Sequence, residues 1–157
     1  MIECFPPVYD ENCKILILGS MPSVKSLEAS FYYMHPQNRF WKIMGKILET
    51  EIPPKPEDRA KLLLSRGVGL WDVLYSCDRE GSLDSAIKNP VPNDILGLKN
   101  IENVPIFVNG GAAERYFKRF FPTLTATRLP STSPANAAHF DEAEWLKLRI
   151  FLNAKEI

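Results

Sequence analysis

The chain has 157 residues, 45% of them hydrophobic and 24% charged, and its 19 basic and 19 acidic side chains cancel at neutral pH. That length suits one domain with a single well-covered core, and the balance of residues is that of a globular protein. A net charge of zero speaks against a surface that binds polyanions by bulk electrostatics, though not against one that holds a few phosphates with backbone N–H groups and hydroxyls.

The first residues, MIECFPPVYDENCK, carry Glu3, Asp10 and Glu11 and no basic stretch, so they do not read as a secretory signal. No apolar run reaches about 18 residues, so no membrane span is expected. Cys4, Cys13 and Cys77 are odd in number and lack CxxC spacing, which suits a reducing cytoplasm better than a disulfide framework. His35 and His139 are the two histidines and lie far apart, so no metal site is expected.

KILILG (Lys14 to Gly19) is a short apolar run ending in glycine, the pattern of a buried strand. Phe40, Ile43, Met44, Ile47 and Leu48 then repeat at helical spacing. Pro53, Pro54 and Pro56 mark a loop before EDRAKLLLSRG, a second helix for which Gly67 is a C′ residue. VGLWDVL (Val68 to Leu74) reads as a second strand, PIFVNGG (Pro105 to Gly111) as a third and LTATRLP (Leu124 to Pro130) as a fourth. Tyr116, Phe117, Phe120 and Phe121 give a helix between the last two. A final helix is expected from about Asp141 to Leu152, with Asp141 near its N-cap. The order β-α-α-β-α-β-α-β-α predicts one α/β domain, a three-layer α/β/α sandwich around a four-stranded parallel sheet.

In such sheets ligands bind beyond the carboxyl ends of the strands. The ends here carry GSMPS (Gly19 to Ser23), Trp71–Asp72, Asn109–Gly111 and LPSTSPANA (Leu129 to Ala137). Gly, Ser, Asn and Pro make turns anywhere, so each alone is ordinary. Together they frame MHPQNRFW (Met34 to Trp41), a run with a histidine, two amides, an arginine and two aromatics but no acid or cysteine.

GSMPSVKSLEASFYYMHPQNRFWKIM resembles the first motif of the uracil-DNA glycosylase superfamily, whose mismatch-specific branch has a glycine–proline turn followed by a His-Pro-x-Asn-Arg-Phe-Trp helix start. LPSTSPANA resembles the second motif of that superfamily, and the combination is most similar to the hypoxanthine-DNA (deoxyinosine) glycosylases. The resemblance implies excision of a deaminated base from DNA, without metal or organic cofactor, by a monomer. Two positions depart from the family pattern. Met21 stands where faster relatives place a water-orienting amide or carboxylate, and Leu129 stands where they place a histidine that steadies the departing base.

The resemblance therefore puts catalysis on Asn38, whose carbonyl can orient water but not take its proton. The competing reading is a helix cap, a role asparagine fills well. Gly19, Met21, Tyr33, Asp72 and Asn109 are the expected base-binding residues. Tyr33 supplies a stacking face, with Phe31 and Tyr32 as alternatives, or else these aromatics simply pack in the interior. Asp72 accepts the N1–H that hypoxanthine has and adenine lacks, or else forms a turn or ion pair. Asn109 offers donor and acceptor, or simply an Asn-Gly turn. Ser20, Ser23, Ser131 and Ser133 are expected to hold phosphates, with Lys25 as an electrostatic aid. Thr132, Ser133 and Pro134 occupy the place of a wedge into the base stack, and Asn136 reads the partner base or caps the last helix. His35 is expected to be structural, and Arg39 to pair with a carboxylate. No lysine suits lyase chemistry, so the expected enzyme is monofunctional. The rival readings are a uracil or thymine mismatch glycosylase and a non-catalytic DNA- or nucleotide-binding module on the same fold.

Overall fold

The structure, a computed structural model, describes residues 1–152. In chain order its strands are β1 (Ile2–Glu3), β2 (Ile15–Gly19), β3 (Val68–Asp72), β4 (Leu74–Asp78), β5 (Lys88–Pro92), β6 (Ile106–Asn109) and β7 (Thr127–Leu129). Its α-helices are α1 (Val24–Ala29), α2 (Phe40–Leu48), α3 (Pro56–Ser65), α4 (Gly111–Phe120), α5 (Glu142–Leu146) and α6 (Arg149–Leu152).

The expected four-stranded parallel sheet is present, in the order β3-β2-β6-β7. Every residue of β2, β3 and β6 is buried, which is why these strands read as continuous rather than alternating apolar runs. The β2-to-β3 and β6-to-β7 connections run in opposite directions across the sheet. Right-handed crossovers therefore place α1–α3 on one face and α4 on the other. The chain reverses direction between β2 and β6, so the switch point lies between Gly19 and Asn109.

Helix α2 turns its apolar stripe inward: Phe40, Ile43, Met44, Ile47 and Leu48 are all at most 1% exposed. Helix α3 starts with Pro56 in its first turn, and Gly67 follows it at φ +80°, as its C′ position requires. Asp141 caps α5 by accepting the Ala143 N–H at 3.0 Å, but the expected last helix is two short segments, with a break around Lys147–Leu148.

The stretch between the second and third parallel strands corrects the sequence expectation of a helix there. After Asp72 the chain leaves the parallel sheet at Val73, whose N–H donates to Gly19 O at 2.7 Å. It continues into an antiparallel sheet of order β1-β4-β5 and then into 3-10 turns at Ile95–Gly97 and Ile101–Asn103. Buried Asn93 braces the departure, its side-chain amide lying 2.8 Å from Asp72 O and 3.1 Å from Leu74 O. The hairpin loop between β4 and β5 swings over the end of the parallel sheet.

Candidate functional site

A cavity of about 270 Å³ opens at the switch point, at the small end of the range for ligand pockets. Its wall combines Gly19 to Ser23 of the first turn, Tyr33, His35 and Asn38, Asp72, Asn109, Ser131 to Ala135, and Ser82 to Asp84 of the β4–β5 loop. All four strand ends named from the sequence, and the segment MHPQNRFW, thus contribute to one site or stand directly behind it.

The floor is polar and buried. Asp72 is 3% exposed, and its Oδ2 is buried with no hydrogen-bond partner. Burial pushes its carboxyl up to about 7; the nearby Asp84 carboxylate pushes the same way and the Arg79 guanidinium opposes both. The Tyr33 hydroxyl is likewise buried and meets no partner in good hydrogen-bond geometry; burial, and then the Asp72 carboxylate, drive its acidity well below that of a free phenol, while the nearby Asn109 side chain opposes them. Gly19 sits between them. A Cβ there would meet Asp72 Oδ1 at 2.6 Å and the Tyr33 hydroxyl at 2.7 Å, so a side chain at this position would fill the space beside both groups.

Tyr33 takes a left-handed backbone, φ 56°, and lays its ring on Phe40 at 4.2 Å between centroids and 22° between planes. One face is therefore already covered. Phe40 and Trp41 belong to the core, as the apolar stripe implied.

MHPQNRFW is largely a turn ahead of α2. His35 O accepts the Asn38 N–H at 3.0 Å, and His35 Nδ1 accepts the Gln37 N–H at 3.1 Å. Asn38 Oδ1 accepts the Phe40 N–H at 2.9 Å, so the asparagine satisfies a donor of the first helical turn while lining the cavity. Both readings of Asn38 thus meet on one atom: a carbonyl oxygen fixed by one bond keeps a second lone pair. Among the described residues Arg39 pairs with no carboxylate, against the expectation; its backbone N–H donates to Thr132 O at 3.0 Å and its guanidinium lies 5.8 Å from the centre of the Phe140 ring.

The second loop is knitted to the third strand end. Asn109 Nδ2 donates to Thr132 Oγ1, and Thr132 N–H donates to Asn109 Oδ1, both at 3.0 Å. Asn109 accordingly spends most of its capacity bracing this loop. Thr132 is 1% exposed, which corrects its expected place in a wedge: the side chain points into the protein. Trp145 Nε1 donates to Pro130 O at 2.8 Å and fixes the start of the same loop.

The rim serines differ from one another. Ser20 donates its hydroxyl to Asp84 Oδ1 at 2.7 Å. Ser23 caps α1, accepting the Ser26 N–H at 3.1 Å, and its hydroxyl lies 3.1 Å from that of Ser26. Those two are committed within the chain, against the expectation that they hold phosphates. Ser131 and Ser133 act as acceptors, from the N–H of Ser133 and of Ala135 respectively, each at 3.2 Å, so their O–H groups keep a hydrogen to give. Lys25 and Asn136 do not line the cavity. Lys25 pairs with Glu28 at 3.7 Å, and Asn136 Nδ2 donates to Ser131 O at 3.1 Å. Pro134 lines the rim. Met21 is 8% exposed and lines the cavity, whereas Leu129 is buried behind it.

Sequence reasoning missed the β4–β5 loop. Arg79, Ser82, Leu83 and Asp84 all bear on the site from CDREGSLD, whose glycine and charges mark a turn but give no sign of where that turn lands.

Residues 6–155 match the family model of the Uracil DNA glycosylase superfamily. A Hypoxanthine DNA glycosylase of Methanosarcina acetivorans is 40% identical over 149 residues, 90% of this chain and 93% of that protein. A Hypoxanthine DNA glycosylase of Methanosarcina barkeri is 41% identical over 98 residues, 62% of each chain. The solution NMR structure of a candidate uracil DNA glycosylase from Methanosarcina acetivorans superposes with a TM-score of 0.81 at 36% identity, covering 97% of this chain and 99% of that one.

Proposed function

The chain belongs to the uracil DNA glycosylase superfamily, and from that premise we propose that it is a monofunctional DNA glycosylase that flips a deaminated base, hypoxanthine foremost, and hydrolyses its N-glycosidic bond in base excision repair. It acts in this reading as a cytoplasmic monomer on lesion-bearing DNA, without metal or organic cofactor. Among the described residues no helix is long and apolar enough to cross a membrane.

The observation that carries this reading is the pair of unpartnered polar atoms on the pocket floor, Asp72 Oδ2 and the Tyr33 hydroxyl. A buried polar atom without a partner is costly, and a ligand that supplies one recovers that cost. The Watson–Crick edge of hypoxanthine offers N1–H to the carboxylate and O6 to the phenol. Adenine presents a bare N1 lone pair, which Asp72 repels in its ionised form, the form that prevails above about pH 7. Uracil also carries a ring N–H beside a carbonyl, so these two groups favour deaminated bases as a class. In this reading Tyr33 meets the base at its edge, through the hydroxyl, rather than with its ring, one face of which Phe40 already covers.

The chemistry follows from position. Water held by Asn38 Oδ1 approaches C1′ as the bond to the base breaks. The bonding electron pair leaves with the base, and the Tyr33 hydroxyl, donating to the carbonyl oxygen of the base, takes up part of that charge. An amide cannot take the proton of the water, so deprotonation lags behind bond cleavage, and the proton passes to solvent or to the departing base. Met21 adds no polar group to this step.

A panel of oligonucleotides carrying hypoxanthine, uracil, xanthine or a G·T mismatch tests the proposal by release of free base under excess enzyme. Hypoxanthine should be released fastest. Faster release of uracil or of thymine from G·T would make this a mismatch enzyme. Tight binding with no release of any base would support the non-catalytic reading that Met21 and Leu129 favour.

A further inference from the structure

The loop from Arg79 to Asp84 lines the pocket with Ser82, Leu83 and Asp84, and Leu83 leaves 64% of its surface exposed. A lone exposed leucine is ordinary. This one differs in how it is held. On one side of it Ser82 Oγ accepts the Val24 N–H at 2.9 Å, and on the other Asp84 Oδ1 accepts the Ser20 hydroxyl at 2.7 Å. Beneath the loop the Arg79 side chain, 1% exposed, donates to Pro22 O and lies 4.0 Å from Asp84 Oδ1. The carbonyl of Leu83 accepts the Ala86 N–H at 3.1 Å, starting the 3-10 turn Asp84–Ala86. The backbone is therefore tied to the first turn on both sides of a large apolar side chain that is left in water at the site entrance.

On the opposite rim Ser131, Ser133 and Ala135 are small and Thr132 faces inward; Pro134, expected at the wedge position, is apolar but half-buried, with less to project than Leu83. Among the exposed large hydrophobic residues of the described chain, Leu83 lines the cavity, whereas Met1, Val24, Tyr75, Val91, Leu96, Ile150 and Phe151 do not.

We propose that Leu83 is the wedge of this enzyme, a positioning residue that enters the base stack as the lesion leaves it and holds the flipped state open. The inference rests on the glycosylase reading above. Flipping leaves an apolar gap between neighbouring bases, and inserted apolar side chains are a general means of filling such gaps. The same burial that fills the gap removes Leu83 from water. The Asp84 carboxylate beside it is engaged by Ser20 and close to Arg79, which limits its repulsion of the phosphates.

The test compares wild type, Leu83→Ala, Leu83→Phe and, as an exposed leucine elsewhere, Leu96→Ala. Each is assayed for single-turnover hypoxanthine release from a duplex and from the same strand unpaired, with 2-aminopurine beside the lesion to report unstacking. Leu83→Ala should lose about 10-fold or more on the duplex, stay within about 2-fold on the single strand, and show a smaller 2-aminopurine rise. Leu83→Phe should recover most of the duplex rate, and Leu96→Ala should match wild type. Equal losses on both substrates, or no loss on the duplex, overturn the wedge while leaving the glycosylase reading intact. Absence of release by the wild type on either substrate overturns that reading and the wedge with it.

Discussion

On the pocket floor, Asp72 Oδ2 and the Tyr33 hydroxyl are buried and partnerless, whereas on its rim the oxygens of Ser20, Ser23, Ser131 and Ser133 each bond within the chain. The floor keeps unsatisfied groups at a cost in stability; the rim is already satisfied. Selectivity for a base is expected to come from the first, where a missing bond is expensive and a correct ligand supplies it. The rim can only add modest grip, because each contact it makes with DNA competes with water or with a bond it already has.

The largest expected effect is at Asn38. Asn38→Ala should slow single-turnover hypoxanthine release by about 10²-fold or more, the scale of losing one preorganised polar group at a reacting centre. It also removes the acceptor for the Phe40 N–H, so the unfolding midpoint should fall by the equivalent of about 1 kcal/mol. Asn38→Asp keeps an oxygen in the same place and should retain both the helix bond and most of the rate. A near-normal rate with a lowered midpoint in Asn38→Ala would leave Asn38 a helix-start residue only. Gly19→Ala attacks the floor by volume. Its methyl would crowd Asp72 and Tyr33, so binding of the extrahelical base should weaken by about 1–3 kcal/mol. Unchanged affinity for a lesion oligonucleotide would argue that the base lies elsewhere.

Asp72 comes next. Asp72→Ala should lose roughly 1–3 kcal/mol in hypoxanthine excision, the worth of a hydrogen bond to a charged group, and Asp72→Asn should lose less because its amide oxygen still accepts. The same residue gives a pH signature. Its folded carboxyl sits at about 7, above the value near 3.8 of a free one. The folded state therefore holds this proton more tightly than the unfolded state. The stability this confers is full below about pH 4 and is lost as pH rises through about 7. The groups that face Asp72 electrostatically are Asp84 and Arg79 from the β4–β5 loop, Tyr32 and Tyr33 from the segment before α2, and Cys4 beside β1. Wild type should thus melt lower at pH 8 than at pH 5, and Asp72→Asn should flatten that slope. If Asp72→Asn and wild type show parallel melting curves across this range, the carboxyl is ionised throughout and burial does not raise its pKa.

Much of the floor was legible in the sequence, and the loop over it was not, for physical reasons. KILILG and PIFVNGG are buried on both faces, and such strands announce themselves as unbroken apolar runs whose ends must be the site. Asp72, a lone carboxylate late in VGLWDVL, is assigned to the base because the family resemblance puts a base-reading residue near that position. The antiparallel strands β4 and β5 gave no such signal. LYSCD is only half-buried, and KNPVP carries two prolines and no buried residue, which suits an edge strand and reads as loop. A helix was expected there because parallel strands usually need one between them. Bonds such as Ser20 to Asp84 join residues 64 positions apart, and no local pattern encodes them. The inward turn of Thr132 was equally hidden, since its partner Asn109 is 23 positions away.

The smallest effects belong to the rim, and they divide the four serines. Ser131 and Ser133 accept backbone N–H groups and keep their hydroxyl hydrogens, so they can donate to a phosphate without breaking a bond. Ser20 has given its hydrogen to Asp84, and Ser23 lies against Ser26. Ser131→Ala combined with Ser133→Ala should weaken binding to any DNA sequence by about 1 kcal/mol, the size of an ordinary hydrogen bond, while Ser20→Ala should cost a few tenths at most. Since phosphate contacts carry no sequence information, the loss should be the same with or without a lesion. The salt dependence should follow. A neutral chain that grips with hydroxyls releases few counterions, so log affinity against log salt should slope by only a few units, and removing a hydroxyl should leave the slope unchanged where removing a cation would lower it. A slope near −10 would require a basic face that dominates binding. A larger loss from Ser20→Ala than from the Ser131–Ser133 pair would mean that the Ser20–Asp84 bond opens on DNA, and that the first turn rather than the second loop holds the strand.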